Sequence, residues 1–275
     1  MQLTKEGKLN IITFDSTEDI FRYIQDVPET NFSKRYPVNK DWCAMTFAEA
    51  EKCLISGWPE GSEVIALIAD VLESKMEIEA GISYNYDVTG ECIDVGAYLE
   101  GVPECWLAAV PEERQKPSLE IIVNCSISSG VKESKIINRG AVITALIDAL
   151  HRHYALKVNF VERCNGEHEN GFNRENLRIE LPVDTRNGYS RDMIAFLTAC
   201  PAYLRRILFA VTEKVFKKDH CHGYGTPTTY KKEGAIVFTC MNSVEMEANG
   251  EDYYSPEAAV QTLKSKLAGH VVFAE

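Results

Sequence analysis

The chain has 275 residues, of which 45% are apolar and 25% charged, with nine cysteines, six histidines and a formal net charge of −12. These proportions belong to a folded globular protein and exclude collagen, coiled-coil and low-complexity chains. No apolar run approaches the roughly 20 residues of a membrane helix, and Met1 to Asn10 hold no apolar signal core, so a cytoplasmic protein without a membrane partner is expected.

The charge is uneven. Residues 1–118 carry 22 Asp/Glu against 10 Lys/Arg, whereas residues 119–275 carry 19 of each. An acidic surface of this kind repels phosphate backbones. It reads either as a solubilising face or as a face for a basic partner.

In chain order, residues 1–80 read as mainly helical. Ser16 or Thr17 can cap a helix through Gln25, with Pro28 beyond its end. Thr46-Phe-Ala-Glu49 is a capping box opening a helix that stops at Gly57. A third helix is expected from about Pro59 to Ser74, with Val64, Leu67, Ile68, Val71 and Leu72 along one side. Ile82 to Val88 alternates as a strand does, and Gly90, Gly96 and Gly101 punctuate the segment beyond it. Val110 to Pro117 is polar, bounded by prolines, and predicts a linker. This divides the chain into two units, an acidic, mainly helical part over 1–117 and an α/β domain over 118–275.

The second unit carries the clearer pattern. Leu119 to Val123 is continuously apolar and β-branched, as a buried central strand requires. The polar loop Asn124 to Glu133 leads into a helix over about Ser134 to His153, with Ile136, Ile143, Leu146, Ile147 and Leu150 on one face. Leu156 to Val161 and Leu177 to Val183 read as an antiparallel hairpin. Ser190 begins a helical region that Pro201 divides, the second half running to about Lys217. Ala235 to Thr239 predicts a strand parallel to Leu119 to Val123, neither of them at an edge. Ser255-Pro256 opens a last helix ending at Gly269, and Val271 to Phe273 a final short strand. The order β-α-β-β-α-β-α-β implies a mainly parallel sheet with helices on both faces.

Nine cysteines without a C-x-x-C pair argue against a disulfide framework or a zinc ribbon, and most sit in apolar runs as small buried hydrophobes. Nucleophile-elbow, Walker A, G-x-G-x-x-G and H-E-x-x-H motifs are all absent. Three places keep a claim to chemistry. The Asn124-Cys125-Ser126-Ile127-Ser128 loop comes directly after the presumed central strand, where open α/β sheets gather ligands, and three alternate oxygen-bearing side chains could converge on a hard cation. Its plain alternative is a polar loop capping the next helix. Asp219-His220-Cys221-His222 puts four ligand types side by side, with His220 and His222 able to share a face, although no zinc spacing completes the set. Arg205, Arg206, Lys214, Lys217, Lys218, Lys231 and Lys232, interleaved with Phe216, Tyr224 and Tyr230, could bind single-stranded nucleic acid, or simply form a solvated helix face.

Asn124, Ser126 and Ser128 stand at the three positions of an Asp-x-Ser-x-Ser motif, with a helix and a β-hairpin next in the chain. In this the second unit resembles von Willebrand factor type A domains. The resemblance implies a weakly bound divalent cation at those residues, helped by Asp184 or Thr185, in a degenerate site because Asn124 replaces the charged Asp. The string from Asp87 to Trp106, Thr46-Phe-Ala-Glu-Ala50 leading to Gly57-Trp58, and Asn138-Arg139-Gly140-Ala141 are similar to a family of tailed-bacteriophage proteins, which implies a phage-encoded protein of the bacterial cytoplasm. Three functions stand as expectations. The first, favoured because the motif searches are empty, is a non-enzymatic interaction protein holding a host or phage protein. The others are a metal-dependent hydrolase or nuclease, and a single-strand nucleic-acid binder.

Overall fold

The computed structural model describes residues 1–39, 42–63, 65–66, 82–111, 118–151, 154–165, 167–168, 172–173, 177–217 and 224–267. The chain opens with an antiparallel hairpin of β1 (Gln2–Glu6) and β2 (Leu9–Thr13), turning at Gly7 with φ +61°. The expected mainly helical N-terminal part therefore begins only after residue 16. All five residues of β1 are exposed, so this strand lacks the period-two apolar signal by which a strand is recognised.

The two cap signals produce their helices. Ser16 accepts a hydrogen bond from Asp19 N at the head of α1 (Thr17–Ile24). Thr46 and Glu49 exchange reciprocal bonds at the head of α2 (Phe47–Ser56). Gly57 closes α2 with φ +82°, and a Cβ there would lie 2.5 Å from Asp192 Cβ. Residues 59–63 and 65–66 are helical. The remainder of the helix expected to reach Ser74 lies outside the described residues, as do residues 112–117 of the expected linker.

A small three-stranded sheet comes next, built from β3 (Ile82–Asp87), β4 (Cys92–Ile93) and β5 (Trp106–Pro111), with β5 in the middle and both pairings antiparallel. The short helix α3 (Val95–Leu99) connects β4 to β5.

The main sheet has six strands in the order β1-β2-β8-β7-β6-β9. Its later members are β6 (Ser118–Asn124), β7 (Ala155–Glu162), β8 (Leu177–Asp184) and β9 (Ile236–Phe238). The pairs β6–β7, β6–β9 and β2–β8 are parallel; β1–β2 and β7–β8 are antiparallel. The sheet is thus mostly parallel, with β6 inside it and β9 parallel to β6, as the apolar runs require. However, β9 is the outermost of the described strands on its side, against the expectation of a central place. The strand expected at Val271 to Phe273 lies outside the described residues.

Alternation along the strands sorts the two faces. Ile12, Leu119, Ile121, Val123, Leu156, Val158, Phe160, Leu177, Ile179 and Leu181 lie in one core with the helices. These include α4 (Glu133–Leu150), α5 (Arg191–Ala199), α6 (Phe209–Phe216) and α7 (Pro256–Leu267). The reverse face carries a polar lattice instead. Arg178 pairs with Glu180 at 2.5 Å and lies 4.3 Å from the Tyr230 ring, and Lys232 reaches Glu120 at 2.6 Å. Among the described residues the helices therefore pack on one face, not the two expected. Phe14, Ile20, Ile24, Phe47 and Leu54 lie in that same core, beside residues that follow position 117.

Two helices approach closely because of one glycine. A Cβ on Gly140 of α4 would lie 2.3 Å from the Ala199 Cβ of α5. No single helix among the described residues is long and apolar enough to cross a membrane. Gly140→Ala should destabilise the protein by about 1–3 kcal/mol, because overpacking outweighs the ~1 kcal/mol that alanine adds to helix propensity. Chemical denaturation checks this, and a variant as stable as wild type would show that the helices can move apart freely.

Candidate functional site

The Asn124–Ser128 loop leaves β6 at the C-terminal edge of the sheet, and its polar groups are taken up by backbone. Asn124 is fully buried. Its amide donates to Tyr230 O at 3.1 Å and Phe238 O at 2.9 Å, and its carbonyl accepts from Tyr230 N at 2.7 Å. The Ser126 hydroxyl donates to Arg163 O at 2.8 Å and accepts from Arg163 N at 3.1 Å. Ser128 is half-buried and is held through its main chain, by Met241 O and an Arg205 guanidinium nitrogen. The partners of Asn124 belong to the β9 side and those of Ser126 to the β7 side, so the two side chains diverge.

Thr185 does not join them. Strand β8 runs antiparallel to β7, so its end, where the Thr185 hydroxyl meets Leu156 O at 3.4 Å, lies at the opposite edge of the sheet. Beside it, the Arg186 guanidinium holds the Asp184 carboxyl down at about 2. Among the described residues no group of three His, Cys, Asp or Glu could hold a metal ion. His220, His222 and Lys218 lie outside the described residues.

The crevice beyond β6 and β7 is crossed by the chain itself. Tyr224 stacks on Phe209 with ring centroids 3.4 Å apart. Thr226–Pro227 then pairs with Cys164–Asn165, Thr228 N donates to Arg163 O at 3.1 Å, and Tyr230 meets Asn124. Lys232 continues to Glu120, after which β9 begins. Residues 224–232 form a strap over the place where open α/β sheets take ligands.

The basic segment is equally committed. Pro201 breaks the helix after α5, and a π-turn over Tyr203–Leu208 runs into α6. Arg205 and Arg206 sit on that turn and are each 1% exposed. Arg206 donates to Met45 O at 3.1 Å, to Ser33 O and Tyr36 O at 2.8 Å each, and to the Cys43 sulfur. Arg205 donates to Trp42 O and to Ser128 O, and its guanidinium lies 4.0 Å from the Trp42 ring centre. Burial lowers the Arg205 pKa to about 10. Neither side chain can reach a phosphate. Lys231 binds Asn249 and Lys232 binds Glu120; Lys217 is exposed, with its backbone left-handed at φ 52°. The signal of burial is present in the sequence: Arg205 and Arg206 interrupt the apolar run Ala202-Tyr-Leu and Ile207-Leu-Phe-Ala-Val211, which no solvated helix face would carry.

Glu213 of α6, 1% exposed, accepts from Ser33 N at 3.0 Å, from the Ser33 hydroxyl at 2.5 Å and from the Tyr224 hydroxyl. Its burial raises the carboxyl pKa against those donors. The cysteines keep the same inward pattern. Burial pushes Cys125 and Cys200 up to about 12 and Cys240 to about 11, while Cys92 is exposed on β4.

The described surface differs most around β4 and α3. Tyr86, Val88, Val95, Tyr98, Leu99 and Val102 are 41–78% exposed, and α3 buries no side chain. Asp94 caps α3 through Gly96 N and Ala97 N and accepts from the Tyr86 hydroxyl at 2.7 Å.

These features define an α/β protein on a mixed six-stranded sheet, with its sheet-edge crevice closed by its own strap and an apolar patch displayed on a separate small sheet. The chain belongs to the family described as "Domain of unknown function (DUF7192)", which it matches over residues 3–267. No curated protein and no solved structure matches it.

The buried arginine and the buried thiols each carry a testable consequence. Arg206→Met leaves the Ser33, Tyr36 and Met45 carbonyls unpaired and should cost about 3 kcal/mol or more. Denaturation gives the total, and hydrogen exchange should quicken at residues 31–45 before β6 and β7; uniform exchange would contradict it. In native protein a maleimide should label Cys92 quickly and leave Cys125, Cys200 and Cys240 unmodified until unfolding, because burial withholds the thiolate. Peptide mapping decides, and native labelling of Cys125 would refute it.

Proposed function

We propose that this chain is a non-enzymatic interaction protein that binds a protein partner, encoded by a tailed bacteriophage and acting in the bacterial cytoplasm. Its main sheet is read as a degenerate von Willebrand factor type A arrangement. The order of β6, α4, β7 and β8, with β7–β8 an antiparallel hairpin and β9 on the other side of β6, supports that reading. The carrying observation is that Asn124 and Ser126, residues a cation would need, are already hydrogen-bonded, Asn124 to Tyr230 of the strap and to Phe238 of β9, and Ser126 to Arg163. A protein that fills its own ligand crevice has its outer surface left for recognition.

The metal-dependent alternative is separable. Elemental mass spectrometry should find no stoichiometric metal, and millimolar magnesium, calcium or manganese should leave the melting temperature unchanged. Ser126→Ala combined with Ser128→Ala should lower stability by about 1–3 kcal/mol, as expected for two lost bonds to Arg163 and a partly unsatisfied buried backbone. Stoichiometric metal, or a cation-dependent rise in melting temperature abolished by that double substitution, would overturn this reading in favour of a hydrolase or nuclease.

A further inference from the structure

Twelve large apolar side chains are more than 40% exposed among the described residues, and half of them lie between Tyr86 and Val102. Scattered exposed hydrophobes need no explanation, but a contiguous group does. Val95, Tyr98 and Leu99, at 60%, 61% and 78% exposure, have the i, i+3, i+4 spacing that places them on one side of α3. The patch is held in shape. Asp94 ties the head of α3 to Tyr86 on β3, and Glu91 N and Asp94 N bond to Leu107 O and Cys105 O.

Within residues 82–111 the charge has one sign. Residues 82–111 contain Asp87, Glu91, Asp94, Glu100 and Glu104 and no lysine or arginine. Asp87 and Asp94 are engaged locally, by Val88 N and by the α3 cap. Glu91, Glu100 and Glu104 are exposed and form no ion pair among the described residues. An anionic rim around an apolar centre disfavours nucleic acid and anionic lipid, both of which it repels. It suits a surface offering apolar anchors flanked by cations, which gain both steering and burial on contact.

We propose that α3 and the adjoining ends of β3 and β4 are a docking surface for a lysine- or arginine-rich amphipathic segment of a partner protein, with Val95, Tyr98 and Leu99 at its centre and Glu91, Glu100 and Glu104 at its rim. This rests on the reading of the chain as an interaction protein and supplies the chemistry of its partner.

The test uses the full chain and a fluorescent synthetic amphipathic peptide of leucine and lysine, with binding measured by anisotropy at low and high salt. Wild type binds, and binding weakens with salt as rim charges are screened. Val95→Ser with Leu99→Ser weakens binding about tenfold or more, as removal of central anchors does. Glu91→Gln, Glu100→Gln and Glu104→Gln together weaken it and flatten the salt dependence. A control set, Glu60→Gln, Glu233→Gln and Glu247→Gln, removes as much charge elsewhere and leaves binding as it was. Melting curves establish that each variant is folded; α3 buries no side chain, so none should unfold. Equal loss in the rim and control sets would mean that net charge alone attracts the peptide. That result, absence of binding, or indifference to Val95 and Leu99 overturns the docking surface. None of these touches the interaction reading, which the cation experiment decides separately.

Discussion

One buried cation ties the π-turn at Tyr203–Leu208 to carbonyls of residues 33–45. Arg206 has its guanidinium enclosed and meets three main-chain carbonyls from residues 33–45. A charge moved out of water costs several kcal/mol unless its donors are satisfied. Here carbonyl dipoles from a segment with little regular structure supply that satisfaction. A buried carboxyl lies across one residue: Ser33 accepts from Arg206 through its carbonyl and donates to Glu213 through its amide. Arg206 and Glu213 are thus linked through the two successive peptide groups that flank the Ser33 Cα. The described residues of this segment, a helical turn at Phe32–Arg35 and the Asn39 turn that reaches Ala44, also receive guanidinium bonds from about 170 residues later.

Glu213 extends the same constraint to the sheet edge. Its carboxylate also receives the Tyr224 hydroxyl, where the strap begins. The strap then meets Asn124 through Tyr230 and Arg163, the partner of Ser126, through Thr228, and Arg205 on the neighbouring turn holds Ser128 O. The N-terminal segment, the π-turn and the strap are therefore parts of one polar system inside an apolar body. Arg139 belongs to it as well, donating to Asn124 O and Thr239 O. Asn124, Ser126, Arg205 and Arg206, which suggest chemistry in the sequence, all have partners in this system, and those partners are nearly always main chain.

Local signals in the sequence are reliable where one energetic effect dominates. Thr46 and Glu49 make their capping box, Ser16 makes its cap, and the run Leu119 to Val123 is a strand inside the sheet. They mislead where a distant partner decides the outcome. Strand β1 is exposed throughout and forms because β2 is already parallel to β8, a pairing between positions nearly 170 residues apart. Among the described residues the helices lie on one face and Glu120, Asn159, Arg178 and Glu180 decorate the other, an alternation obscured by Ile122 and Val161 beside them. At the candidate site, spacing puts Asn124, Ser126 and Ser128 in one loop but does not show which way each side chain turns. Thr185 ends at the far edge because β8 reverses relative to β7, and the spacing of residues along the chain carries no record of where that reversal leaves it.

The exposed patch at α3 stands apart from this logic. Core positions are explained by packing, and the buried arginines by the carbonyls they meet. Neither argument accounts for Val95, Tyr98 and Leu99, which contribute nothing to the core and present apolar area to water. Solubility alone would favour polar residues there, and the rim of glutamates shows that polar residues are tolerated within one turn. The string from Asp87 to Trp106, which carries much of the resemblance seen in the sequence, is thus a stretch of surface with its own requirement. Docking of a basic amphipathic segment, as proposed, would bury this apolar area and meet the surrounding carboxylates with opposite charge.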